Sequence, residues 1–161
     1  MQQKFDEEGN SIKLINSSVS GDTTGGGLGR LAKNLKKFKP DFVLIELGGN
    51  DALRGYSIKL IKSNLEKMIA LIKQNKSKVL LMQIRIPPNY GQKYMLAFEK
   101  IYKDLALSEE VYLMPFMLEE IGINSELMQP DGIHPNKKAQ SLIAKDVKKN
   151  IDKFLLINQS N

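Results

Sequence analysis

Apolar positions recur along this chain in two rhythms, short unbroken runs and longer stretches at helical spacing, separated by glycine, proline and polar clusters. Lys13-Leu14-Ile15-Asn16 is a short predicted strand, followed by a polar, glycine-rich loop from Ser17 to Gly27. From Leu28 to Phe38 the spacing predicts a helix, with Leu28, Leu31 and Leu35 on one face and most lysines off it. Pro40-Asp41 breaks that pattern. Phe42-Val43-Leu44-Ile45-Glu46-Leu47 is then a near-continuous apolar run, as expected of a strand buried on both faces, and Gly48-Gly49-Asn50-Asp51 ends it abruptly. A long helix is predicted from Ser57 to Gln74, carrying Leu60, Ile61, Leu65, Met68, Ile69 and Ile72 at helical spacing. Val79 to Ile84 reads as the next strand, closed by Pro87-Pro88-Asn89-Tyr90-Gly91. A helix over Tyr94–Leu107, a strand over Val111–Met114 and a last helix over Asn136–Leu156 complete the pattern, with a loose tail beyond.

Strand and helix alternating at this spacing imply right-handed crossovers and a mostly parallel sheet covered on both faces. The predicted class is α/β, in a single domain spanning residues 1–161 with no internal repeat or linker. A content of 42% hydrophobic and 26% charged residues fits an ordinary globular chain of this length. The excess of 24 Lys+Arg over 18 Asp+Glu raises the question of an anionic partner. The lysines, however, are spread along helix-like stretches with no interleaved aromatic motif, so no nucleic-acid partner is expected. The absence of cysteine excludes disulfides, zinc-thiolate sites and a cysteine nucleophile. No run reaches the roughly 18 apolar residues of a membrane span. The opening residues are polar and acidic, without an apolar segment that would act as a signal peptide, so the chain as written is not expected to be addressed for export.

In a parallel α/β sheet, function collects where strands end and crossover loops begin. The polar and glycine residues cluster at three such places: Ser20-Gly21-Asp22-Thr23, Gly48-Gly49-Asn50-Asp51 and Asp131-Gly132-Ile133-His134. In the last, an aspartate can accept a hydrogen bond from the Nδ1–H of His134, the one histidine of the chain, and leave Nε2 free as base and acid. The plainer alternative is a helix-capping turn in which Asp131 or Asn136 satisfies backbone donors and the ring is merely near. Asn50 offers a side-chain amide, and Gly21 a backbone N–H, to a developing oxyanion; the alternative for both is an ordinary turn.

Taken in order with Leu81-Met82-Gln83-Ile84-Arg85, Pro88-Asn89-Tyr90-Gly91 and Asp131-Gly132-Ile133-His134-Pro135-Asn136, these blocks resemble the SGNH/GDSL hydrolase family. The resemblance is greatest to its bacterial thioesterase I, lysophospholipase and arylesterase branch. It implies a three-layer α/β/α fold of flavodoxin-like type and no metal or organic cofactor. It also implies oxyanion donors at Gly21 and Asn50, with the acid and base of a triad at Asp131 and His134. The substrate implied is a small-molecule acyl ester or thioester, including lysophospholipid, with Gly49, Arg85, Pro87 and Tyr90 in the walls that face it. A periplasmic or secreted location is suggested by the family alone.

Members of that family carry their nucleophilic serine in a Gly-Asp-Ser block after the first, central strand, and no Gly-Asp-Ser occurs in these residues. Ser17, Ser18 and Ser20 lack the sharp strand-to-helix turn that would aim a hydroxyl, so the nucleophile is expected to lie outside the sequence given. Without that first strand, peptide groups beside it would be left unpaired at roughly 1–3 kcal/mol each, against the ~5–15 kcal/mol of a whole domain. The chain alone is therefore expected to be inactive and marginally folded. Two other readings compete: a non-catalytic remnant that binds an acyl ligand or a partner, and a dinucleotide site at Gly27-Leu28-Gly29-Arg30-Leu31-Ala32. The latter matches G-x-G-x-x-A but lies well beyond the end of its strand.

Overall fold

A computed structural model of the chain describes residues 1–7 and 11–159. The contacts divide into two compact units, one formed by Ser17–Phe116 and the other by Met1–Asn16 together with Met117–Asn161.

The larger unit holds the sheet. Strands β1 (Phe42–Ile45), β2 (Lys78–Met82) and β3 (Tyr112–Met114) lie side by side in that order, all parallel. Val43 pairs with Val79, and Leu81 with Leu113. The unbranched order follows from the crossovers, in which a helix long enough to return the chain separates each strand from the next. These are α4 (Ile58–Gln74) between β1 and β2 and α5 (Gln92–Ser108) between β2 and β3, while α2 (Thr24–Phe38) precedes β1 and α3 (Gly49–Leu53) follows it. Helix α4 packs between α2 and α5, and α4 and α5 both rest on β2. Val79, Leu80, Leu81 and Met82 are buried, and Leu80 and Leu81 completely so, which is why this stretch reads as unbroken apolar sequence. Against them lie Ile61, Leu65, Ile69 and Ile72 of α4 and Phe98, Ile101, Tyr102 and Leu105 of α5, all buried. In β1, at the end of the sheet, Phe42, Val43 and Leu44 are only half-buried.

In the smaller unit, α1 (Gln2–Glu7) packs on α6 (Gln140–Gln159). Phe5 is fully buried, with the Lys148 ammonium 5.0 Å from its ring centre and paired to Asp152 at 2.8 Å one helical turn on. The segment between β3 and α6 is mostly irregular, with short 3₁₀ turns at Ser125–Leu127 and Lys137–Ala139.

The α/β class and the parallel strands are those the sequence predicts, and three differences from the predicted elements have physical causes. Lys13–Asn16 is not a strand: the Leu14 N–H, which a ladder would use, goes instead to Gln2 Oε1 at 2.7 Å, and Ile15 is exposed. Helix α2 starts at Thr24, four residues before Leu28, because Thr23 caps it by accepting the Gly26 N–H at 3.3 Å. Gly27 and Gly29 therefore sit inside a helix and not in a strand-to-helix turn, which removes the basis of the dinucleotide reading. Strand β1 stops at Ile45, two residues short of Leu47, where the chain turns into the loop before α3.

Because Leu80 is fully buried at the centre of the inner strand, Leu80→Ala should lower the unfolding free energy in urea by about 2–5 kcal/mol. Leu107→Ala, at a side chain 80% exposed, should change it by about 0.5 kcal/mol or less. Equal effects from the two would contradict this placement of the core.

Candidate active site

In the larger unit two loops are tied together residue by residue. The first is the turn Ser20–Thr23 ahead of α2. Its Asp22 N–H returns to Val19 O at 3.2 Å, and Gly21 sits at φ +73°, a conformation that favours glycine. The Asp22 carboxylate accepts from Arg30 through Nε at 2.9 Å and Nη2 at 2.7 Å, and from the Thr23 N–H at 2.9 Å. The second is the turn at Gly48 with the short helix α3 and its C-cap Arg54. Gly48, at φ +116°, passes so close to Tyr102 that a Cβ there would lie 2.2 Å from its hydroxyl oxygen. That hydroxyl donates to Leu47 O at 2.8 Å, and the edge of Phe98 meets the tyrosine ring at a centroid distance of 5.4 Å. Burial, with Asp51 and Glu46 adding to it, pushes the Tyr102 phenol well above its ordinary pKa, so it stays a donor.

Three contacts join the loops. Arg54 Nη2 donates to Gly21 O at 3.1 Å, Asn50 Nδ2 donates to Asp22 O at 3.1 Å, and the fully buried Asp51 accepts from Thr24. One N–H of the Asn50 amide is thus anchored, and among the described residues none accepts the second. Among the described residues nothing accepts from the Gly21 N–H. The two expected oxyanion donors, Gly21 and Asn50, therefore stand on loops held in one fixed relation.

Of the residues expected to face substrate, Gly49 belongs to the second of these segments, and Arg85, Pro87 and Tyr90 follow β2. Gly49 begins α3, with Ile84 Cγ2 3.5 Å from where its Cβ would be. Arg85 points to Glu99 on α5, Nε to Oε2 3.9 Å. Pro87 caps the 3₁₀ turn Pro88–Tyr90, and Tyr90 is exposed. Tyr94 Oη donates to Tyr56 O at 2.6 Å, so the segment after α3 is fastened to α5.

In the smaller unit, Asp131 and His134 pair directly, with Oδ2 2.8 Å from Nδ1. The other oxygen, Oδ1, accepts the Ile133 N–H at 2.9 Å and the His134 N–H at 3.0 Å. The expected pairing and the plainer capping turn are thus both present in one carboxylate. These bonds, the His134 backbone N–H foremost, then the ring and the Ile133 N–H, hold the Asp131 carboxyl down to about 2. The turn is braced from behind by Gln129 N–H to His134 O at 2.7 Å and Asn136 N–H to Leu127 O at 2.8 Å. Asn136 also donates to Glu126 O at 2.7 Å and Met128 O at 3.2 Å while its Oδ1 caps Lys138 at 2.9 Å. The imidazole is 67% exposed, so its far nitrogen is open to a ligand. With Nδ1 facing a carboxylate, the proton belongs on Nδ1 and the lone pair on Nε2.

Sequence reasoning missed Thr24, Asp51, Asn64 and Tyr102. A signal existed for one of them: Asn64 is the polar member of the otherwise apolar stripe Ile61, Leu65, Met68, Ile69 and Ile72, and a polar residue buried there demands a partner.

A parallel α/β sheet and a carboxylate–imidazole pair in one chain are compatible with a hydrolase, and similarity to known proteins shows which class it is. The chain belongs to the GDSL-like Lipase/Acylhydrolase family, whose profile matches residues 1–142. It is 51% identical over 149 residues to an arylesterase of Vibrio mimicus, covering 92% of this chain and 74% of that protein. It is 47% identical over 131 residues to the Thioesterase 1/protease 1/lysophospholipase L1 of Escherichia coli K12, covering 81% of this chain and 63% of that protein. Among solved structures, the psychrotrophic esterase EstA of Pseudoalteromonas sp., inhibited by monoethylphosphonate, superposes with a TM-score of 0.93 at 42% identity, covering 96% of this chain and 84% of that one.

Asp131 has its carboxyl at about 2, below the ordinary 3.8, so its bonds in the turn are intact above roughly pH 4 and are lost only as pH falls through about 2. The step in its ¹³Cγ shift that marks protonation of the carboxyl itself should therefore be absent between pH 7 and pH 4 in an NMR titration. A midpoint at or above 4 would show that the turn does not hold the carboxylate as described.

Proposed function

We propose that this protein is a serine ester and thioester hydrolase that works through an acyl-enzyme. The observation that carries the reading is the 2.8 Å contact from Asp131 to His134 Nδ1 beside an exposed ring, supported by membership of an acylhydrolase family. Nε2 of His134 takes the proton of the serine hydroxyl as its oxygen bonds the acyl carbonyl carbon, and the carbonyl π pair moves onto oxygen. The Gly21 N–H and the free N–H of Asn50 donate to that oxyanion, while Asp131 stabilises the imidazolium. Collapse breaks the C–O or C–S bond, and His134 returns the proton to the leaving alcohol or thiol. Water then repeats the sequence to release the acid.

We assign the nucleophile to a Gly-Asp-Ser block, which these 161 residues do not hold. The substrate class is a small acyl ester or thioester, lysophospholipid included. The apolar side chains of Leu53, Ile86 and Pro87, with Gly49, Arg85 and Tyr90, form the walls that face the acyl group.

The same missing block favours a second reading, a remnant that binds an acyl ligand without turning it over. The coding DNA upstream of Met1 separates the two: an in-frame Gly-Asp-Ser supports the enzyme, and a stop codon supports the remnant.

With the Gly-Asp-Ser strand in place, the protein should hydrolyse p-nitrophenyl acetate, and His134→Ala should abolish turnover. Asn50→Ala should lower kcat about 10²–10³-fold with KM little changed, as removal of one oxyanion donor does elsewhere. The 161-residue chain alone should be inactive. Ordinary esterase turnover by that chain, or an unchanged kcat in Asn50→Ala, would overturn the assignment.

A further inference from the structure

The mechanism above uses Gly21 and Asn50 but gives no work to the most deeply buried polar cluster of the larger unit. Asp51 and Thr24 are both fully buried, and Asn64 is nearly so. Asp51 Oδ2 accepts the Thr24 N–H at 2.8 Å, Asp51 Oδ1 accepts the Thr24 hydroxyl at 2.5 Å, and that hydroxyl in turn accepts from Asn64 Nδ2 at 3.0 Å. Every polar atom of the threonine side chain is thereby used, one donation and one acceptance. The line runs from α4 through the first residue of α2 to α3, joining three elements that the chain keeps 27 and 40 positions apart.

We propose that Asp51, acting through Thr24, is the positioning residue of the oxyanion site. Asp51 follows Asn50 directly, and Thr24 lies three residues after Gly21. Fixing Asp51 to Thr24 therefore fixes the Asn50 side chain and the Gly21 turn relative to each other. Neither donor loop could set that relation by itself. The Asn50 Nδ2 bond to Asp22 O and the Arg54 bond to Gly21 O cross the same gap, but they lie in partly exposed positions where water competes for the same atoms. The Asp51–Thr24 contact is out of water, so both partners would lose their only acceptor or donor if the loops parted, and that makes the arrangement all-or-none. An oxyanion site gains rate from donors already in place before charge develops, which is what such a lock supplies.

Two features separate this from ordinary core packing. The cluster is polar, although an apolar trio would fill the same space with no desolvation cost. It is also anchored at the N-terminal peptide of α2, whose N–H otherwise lacks an acceptor, so its geometry is set by direction as well as by volume.

The proposal rests on the reading of Gly21 and Asn50 as donors, and it is tested without any ester. In the intact, ¹⁵N-labelled protein, hydrogen exchange at the Asp22 backbone amide and the Arg54 backbone amide, which donates to Asn50 O at 3.2 Å, is compared with exchange at Leu80 and Leu81, deep in β2. Thr24→Val should speed exchange at both loop sites about tenfold, as loss of a buried hydrogen bond does, and leave Leu80 and Leu81 as they were. Thr24→Ser, which keeps the hydroxyl, should restore slow exchange. Asn64→Ala, which removes only the outermost bond, should fall between them and decides the matter if Thr24→Val does not fold. Slow exchange at Arg54 in both Thr24→Val and Asn64→Ala would overturn the proposal, as would a serine variant as loose as the valine one or loosening shared equally by Leu80 and Leu81. Failure of the hydrolase reading would appear separately, as missing turnover with these exchange patterns intact.

Discussion

A peptide N–H at a turn or helix start has no partner within its own element, and at three places in this chain a side-chain oxygen supplies one. Asp51 supplies the Thr24 N–H at the head of α2, Asp131 supplies Ile133 and His134, and Asn136 supplies Lys138. Each of these residues has a second polar atom committed elsewhere. Asp51 takes the threonine hydroxyl, Asp131 takes the imidazole, and Asn136 donates to two carbonyls. One side chain therefore satisfies the backbone and orients a neighbouring polar group at the same time. The positions of these side chains follow from a constraint that folding would impose in any case.

The sheet obeys a different rule, and it explains which parts of the fold were legible. Runs such as Val79–Met82 are apolar because both faces of β2 are covered, and the period of α4 follows from the single face it buries. Those elements were readable from spacing alone. Lys13–Asn16 carries the same local signal as a strand, yet a strand exists only where a neighbouring backbone accepts it, and that information is not local. Helix α2 begins where capping and the remote Asp51 place it, in a glycine-rich stretch whose intrinsic preference is against a helix.

The site was legible to a comparable depth. Asp131 and His134 lie three residues apart, so their pairing needs only a turn, and the sequence states it almost completely. Gly21 and Asn50 could be named, but what holds them could not, because the Thr24 contact spans 27 positions and the Asn64 contact 40. Tyr102 is further still, 55 positions from the carbonyl it supports under Gly48. An apolar stripe interrupted by Asn64 was the one visible trace of that network. Short-range chemistry is written in the sequence; the framework that orients it becomes visible only with the fold.

The turn at Asp131 shows that capping and pairing with the ring do not exclude each other. A carboxylate has two oxygens, and here one is spent on two backbone N–H groups while the other faces the ring. Asparagine would keep the first function through its oxygen but present an N–H to Nδ1, which would force the proton onto Nε2 and remove the lone pair that a general base needs. Glutamate would keep the charge, but its extra methylene moves both oxygens out of reach of backbone donors two and three residues on. Only aspartate meets the turn's demand for a short acceptor and the imidazole's demand for a charged one. The turn therefore fixes which nitrogen of His134 keeps its lone pair.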